Sequence, residues 1–136
     1  MSAATEALCN HPVFRFFRVI SDIPRPSKHE EQISQFLFRW ARERGLEAEQ
    51  DEKLNILIRK PATPGYEGAP GIMLQAHMDM VCEKAPEAEH DFMKDPIHWE
   101  LDGDILSTGR RTTLGADDGI GVAMAMAVLD DDTLSH

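Results

Sequence analysis

The apolar residues Ile33, Phe36, Leu37, Trp40 and Ala41 recur at spacings of three and four, and this stripe constrains the fold more than any other feature. A helix that gathers two aromatic rings and three aliphatic side chains on one face must lay that face against a second layer. Its start is spelled by Ser27-Lys28-His29-Glu30, a capping-box pattern in which the serine hydroxyl and the glutamate satisfy early helical N–H groups. Gly45 marks its end. A shorter helix fits Val13, Phe16, Phe17 and Ile20, opened by Pro12. Ile23-Pro24-Arg25-Pro26 breaks it, since a residue before proline is pushed out of helical conformation.

The β-prone runs lie downstream. Residues 46–50 and 54–59 read as short strands, and 61–68 read as a loop by their proline and glycine content. The run 71–76 is continuously apolar, as expected of a strand covered on both faces. Residues 97–101 and 104–107 flank Asp102-Gly103, which fits a hairpin with a two-residue turn. From Gly119 a helix rich in small residues runs to Leu129, with Val122, Met124, Met126 and Val128 expected to pack inward. Helices alternate with strands, so the expected class is α/β, a mixed sheet flanked by helices. An α/β domain seldom stops after such a helix, so the 136 residues are expected to be a truncated chain.

Composition narrows the function. Fourteen basic residues stand against 24 acidic ones, a net charge of −10, which argues against nucleic acid or an anionic membrane as partner. The excess is confined to residues 46–136, with 7 basic and 19 acidic, while 1–45 carry 7 and 5. It reads as a solvated acidic surface, or as carboxylates of which some converge on a cation. No apolar run approaches the ~20 residues that span a bilayer, and the start lacks a basic segment followed by an apolar one. Two cysteines, Cys9 and Cys82, form no CxxC pair; a cytoplasmic protein with inert thiols is expected.

Two segments could carry chemistry. In LQAHMDM, His77 and Asp79 are two residues apart, so in extended chain both side chains face one way, at a strand's carboxyl end. Imidazole suits zinc, and a ligating histidine commonly gives its other N–H to a carboxylate; a plain structural hydrogen bond has the same spelling. In TTLGADDGIG, Asp117 and Asp118 precede a helix. Either could cap it, or Asp117 could hold metal, bridging two cations through its two oxygens. His11, His29 and His136 read as solvated end or cap groups, and His90 and His98 as local packing. No nucleotide-binding glycine pattern, phosphate-loop lysine or nucleophile elbow is present.

Taken together, the segments SDIPRPSKHEEQISQFLFRWARERG, NILIRKPATPG, LQAHMDMV, HDFMKDPI and RTTLGADDGIG resemble the aminoacyl-histidine dipeptidases, also called cytosolic non-specific dipeptidases. These are M20-type di-zinc peptidases, and the likeness runs from about Phe14 to Leu129. It implies two Zn(2+) ions per complete active site, with His77 as a zinc ligand, Asp79 as the catalytic aspartate orienting it, and Asp117 as the bridging ligand. Asp118 stands where the dipeptidases usually have asparagine and related tripeptidases carry paired acids. The resemblance implies hydrolysis of Xaa-His and other dipeptides by a metal-activated water, and a possible homodimer for the full-length protein. It further implies a general-base glutamate, further zinc ligands and a lid or dimerisation domain, none with a counterpart in these residues. Residues 1–136 are therefore expected to be the N-terminal portion of the catalytic domain, inactive alone. The alternatives are a tripeptidase, deacylase or carboxypeptidase of the same metal fold, or a non-catalytic α/β binding module.

Overall fold

A computed structural model describes residues 3–136. Its elements are α1 (Ala3–Leu8), α2 (Pro12–Ser21), α3 (Glu31–Glu43), β1 (Glu47–Gln50), β2 (Ile56–Arg59), β3 (Glu100–Asp102), β4 (Ile105–Ser107) and α4 (Ala116–Asp130). The class is α/β, as the sequence predicts, but in place of one mixed sheet the strands of the described residues form two separate antiparallel hairpins. In one, Glu47 stands opposite Arg59 and Gln50 opposite Ile56. In the other, Asp102 faces Ile105. The two-residue turn is thus Gly103-Asp104, one position later than the expected Asp102-Gly103, and Gly103 takes the positive φ of 56° that the turn needs.

The helical stripe does what its spacing demands. Ile33, Leu37, Trp40 and Ala41 of α3 are buried, together with Phe16, Phe17 and Ile20 of α2 and Val122, Ala123 and Met126 of α4. Phe16 meets Trp40 edge-on, at 5.5 Å between centroids and 87° between planes, the arrangement in which a ring's positive edge faces a negative face. Phe17 stacks at 5.1 Å on Trp99, whose indole N–H donates to Ser21 Oγ at 3.2 Å. Pro12 opens α2 and His11 caps it, accepting from the Val13 N–H at 3.3 Å, so His11 is a working cap.

Three expectations are corrected. Residues 71–76 form no strand, and Ile72 and Met73 are 87% and 79% exposed. A doubly buried strand needs partners on both edges and layers on both faces, and the described residues provide neither. Ser27 does not cap α3: Lys28 turns through φ 72° and the helix begins three residues further on, with Glu30 at its N-cap. Met124 and Val128, four apart on α4, are exposed, since only the opposite side of that helix packs against α2.

Candidate metal centre

The chain after the exposed run is anchored at one point. Pro26 and Met80 form an isolated parallel bridge, in which the Met80 N–H donates to Arg25 O at 3.0 Å and the Ser27 N–H to Met80 O at 3.3 Å. This short pairing fixes the end of LQAHMDM next to the Arg25-Pro26-Ser27 turn. Ser27 then uses its hydroxyl on Asp79, donating to Oδ2 at 2.5 Å. The Asp79 carboxylate presents its other oxygen, Oδ1, to His77 Nδ1 at 3.0 Å.

Asp117 arrives from the other side. Gly115, with φ 70°, turns the chain into α4; Asp117 and Asp118 keep non-helical dihedrals and the peptide between them is cis. The two acids take different jobs. Asp118 Oδ1 accepts from the Gly121 N–H at 3.2 Å, which is the capping role open to either. Asp117, with a side chain 97% exposed, points to His77, and its Oδ1 lies 3.0 Å from Nε2.

His77 therefore stands between two carboxylates. A neutral imidazole has one N–H and cannot serve both. Either the ring is protonated or another cation sits between Nε2 and Asp117. The hydrogen bond to Asp117 accordingly raises the His77 pKa above its ordinary value, with Asp79 adding to the effect. Asp79 is held low, by the Ser27 hydroxyl first and then by His77. The donor set fits zinc. Two ligands of a tetrahedral ion at ~2.0–2.2 Å from the metal stand ~3.4 Å apart, so the 3.0 Å between Nε2 and Oδ1 is a hydrogen-bond spacing that would have to open by a few tenths of an ångström to take the ion. Asp79 lies on the far side of the ring, in the place of the carboxylate that fixes a ligating histidine's tautomer. Among the described residues, no group of three or more His, Cys, Asp or Glu side chains is arranged to hold a metal ion. His77 and Asp117 by themselves offer two donor atoms to one point.

The other candidates are structural. His90 packs edge-on against Phe92 at 4.5 Å between centroids, and His98 pairs with Glu100 at 3.3 Å. His136 is not simply solvated, since Nε2 meets Pro61 O at 3.0 Å. Burial pushes both thiols up, Cys9 and Cys82, which keeps them as weak nucleophiles.

The chain is 49% identical over 129 residues to the cytosol non-specific dipeptidase of Escherichia coli (strain K12), an alignment covering 95% of this chain and 26% of that protein. Among solved structures it matches the aminoacylhistidine dipeptidase of Vibrio alginolyticus, with a TM-score of 0.88 and 46% identity over 92% of this chain and 25% of that one. The chain is similar to the dipeptidases. It spans about a quarter of the length of each of these two relatives. No family model matches it. The Escherichia coli dipeptidase carries the cytosol in its name, and no helix among the described residues of this chain is long and apolar enough to cross a membrane.

Two residues of this site escape a sequence reading. Ser27 looks like a cap, yet its hydroxyl holds a carboxylate 52 positions away. Arg25 looks like a basic residue between two prolines, yet it is 1% exposed. The only local hint is the PRP context, which suppresses helix and sets this segment apart from the helices around it.

Proposed function

We propose that these residues form the N-terminal portion of the catalytic domain of a zinc-dependent dipeptidase, cytoplasmic and acting on Xaa-His and other dipeptides. The supporting observation is the His77 imidazole caught between Asp79 at Nδ1 and Asp117 at Nε2, each at 3.0 Å, in a chain similar to dipeptidases. Asp79, gripped by Ser27, accepts the Nδ1 proton and so directs the Nε2 lone pair outward. Asp117 offers its carboxylate to the same point and, being open to solvent, has an oxygen left for a second cation. His77 Nε2 must be free of its proton to hold a cation, and the bond to Asp117 raises its affinity for that proton, so metal binding would weaken as pH falls. Zinc at this position supplies Lewis acidity, which brings the pKa of water towards ~7 and polarises the scissile carbonyl.

The remainder of the domain lies outside these residues on this reading. The exposed apolar run at Ile72, Met73 and Leu74 and the exposed Met124 and Val128 support it, because a soluble domain rarely leaves so much apolar surface uncovered. Residues 1–136 are thus incomplete and inactive alone, and a homodimer would involve other segments.

The experiment uses the full-length protein. It should hydrolyse an Xaa-His dipeptide, lose the activity to a chelator and regain it with zinc. His77→Ala should lower kcat/KM by more than the ~10–100-fold that removing an orienting partner costs, and Asp79→Asn should fall within that range. Residues 1–136 with zinc should give no turnover. Hydrolysis that persists in chelator, or survives His77→Ala, would refute the reading.

A further inference from the structure

We propose that Arg25 is a positioning residue whose guanidinium sets the distance between the two segments that carry His77 and Asp117. The inference rests on the zinc reading of those two side chains. Arg25 spans the gap between them. Its Nη1 donates to Met78 O at 3.1 Å and to Asp79 O at 3.4 Å. Its Nη2 donates to Gly115 O at 2.7 Å. One planar fork thus joins the backbone of the His77–Met78–Asp79 end to the backbone two residues before Asp117. The Arg25 carbonyl and the Ser27 N–H pair with Met80 on the same side, so the clamp has a main-chain arm as well.

The surroundings are shaped for this group. A Cβ at Gly115 would lie 2.5 Å from Arg25 Nη2 and 2.9 Å from Met80 Sδ, and one at Gly119 would lie 2.7 Å from the same Nη2. Two glycines, one on each side of Asp117, therefore leave room that the guanidinium fills. It is held by carbonyl oxygens, with no carboxylate within ion-pair distance among the described residues. Its Nε is buried without a partner. Burial brings its pKa down to about 10, so it stays charged at neutral pH. A cation placed this way is a poor source of stability, because its desolvation is only partly offset. Its geometric output is specific: a rigid fork reaches three carbonyls on two segments, a span that a point-charge ammonium does not match.

The test compares zinc affinity and the absorption spectrum of the cobalt-substituted full-length protein across four variants. Arg25→Met and Arg25→Lys should each weaken zinc binding by ~10–100-fold and alter the cobalt bands, as expected when a support behind the ligands is lost. Ser34→Ala, a buried change remote from the site, should leave both unchanged; a similar loss there would mean that general destabilisation accounts for the effect and would overturn the proposal. Zinc affinity within about twofold of wild type in Arg25→Lys, with an unchanged cobalt spectrum, would also overturn it, and this holds should Arg25→Met fail to fold. His77→Ala separates the two levels: unaltered zinc binding in that variant refutes the zinc reading itself, whereas lost binding there with intact binding in Arg25→Lys refutes only the role of Arg25.

Discussion

Gly119 lies where a side chain would strike two neighbours at once. A Cβ there would be 2.9 Å from Phe17 Cε2 and 2.7 Å from Arg25 Nη2, and Phe17 is fully buried. Both neighbours are buried, so Gly119→Ala should destabilise by about 1–3 kcal/mol, the usual cost of overpacking, read from urea unfolding. Ser34 is a second such position. Its hydroxyl donates to Leu54 O and accepts from Gln50 Nε2, both at 2.7 Å, and the residue is fully buried. Ser34→Ala leaves both partners short and should cost about 1–3 kcal/mol; an unchanged denaturation midpoint would mean that water replaces the hydroxyl. At this scale the sequence is least transparent. Ser27 and Arg25 act on residues 52 to 90 positions away, and nothing in their own neighbourhood records those partners. His77 and Asp79 were legible because their bond spans two positions, and Asp117 because its glycine-rich turn is written beside it.

The hairpin β1–β2 shows how an element holds its turn. Asp51 takes the backbone N–H groups of Lys53 and Asn55 on Oδ1, at 2.9 and 2.8 Å, and the Asn55 amide on Oδ2 at 2.8 Å. These bonds favour the charged form, so the carboxyl is held below its ordinary pKa, chiefly by the Asn55 side chain. A folded-state pKa below the unfolded one means that the contribution is full above the unfolded value, ~3.9, and vanishes as pH falls through the folded one. Asn55→Ala should therefore move the Asp51 carbon titration upward, as followed by NMR; no movement would show that the backbone bonds suffice. Helices α2, α3 and α4 and the hairpin β3–β4 were legible because each contains its own signal, an apolar stripe, a run of small residues or an Asp-Gly turn, whereas α1 and the pairing of β1 with β2 carry no such local mark. The run 71–76 has the apolar character of a covered strand, but a strand of that kind depends on partners and layers that the described residues do not provide.

At the scale of the whole molecule, two kinds of apolar residue coexist, and they should respond to substitution in opposite ways. Phe17 is fully buried against Trp99, so Phe17→Ala should cost about 3–5 kcal/mol wherever it is measured. Ile72 is 87% exposed in this chain, and an exposed position of this kind changes stability by no more than about 0.5 kcal/mol. Ile72→Ser should accordingly leave the unfolding free energy of residues 1–136 unchanged while lowering their tendency to self-associate, which sedimentation velocity would measure. The full-length protein is the other half of the comparison. On the reading that these residues are one portion of a larger catalytic domain, Ile72 is covered there, and the same substitution should cost about 1.5–3 kcal/mol, the value of burying such a side chain. Equal, negligible costs in both chains would mean that the run stays uncovered and that these 136 residues stand as a unit of their own. A cost confined to the longer protein would place residues 71–76 inside its core, next to the His77 and Asp79 that end the same segment.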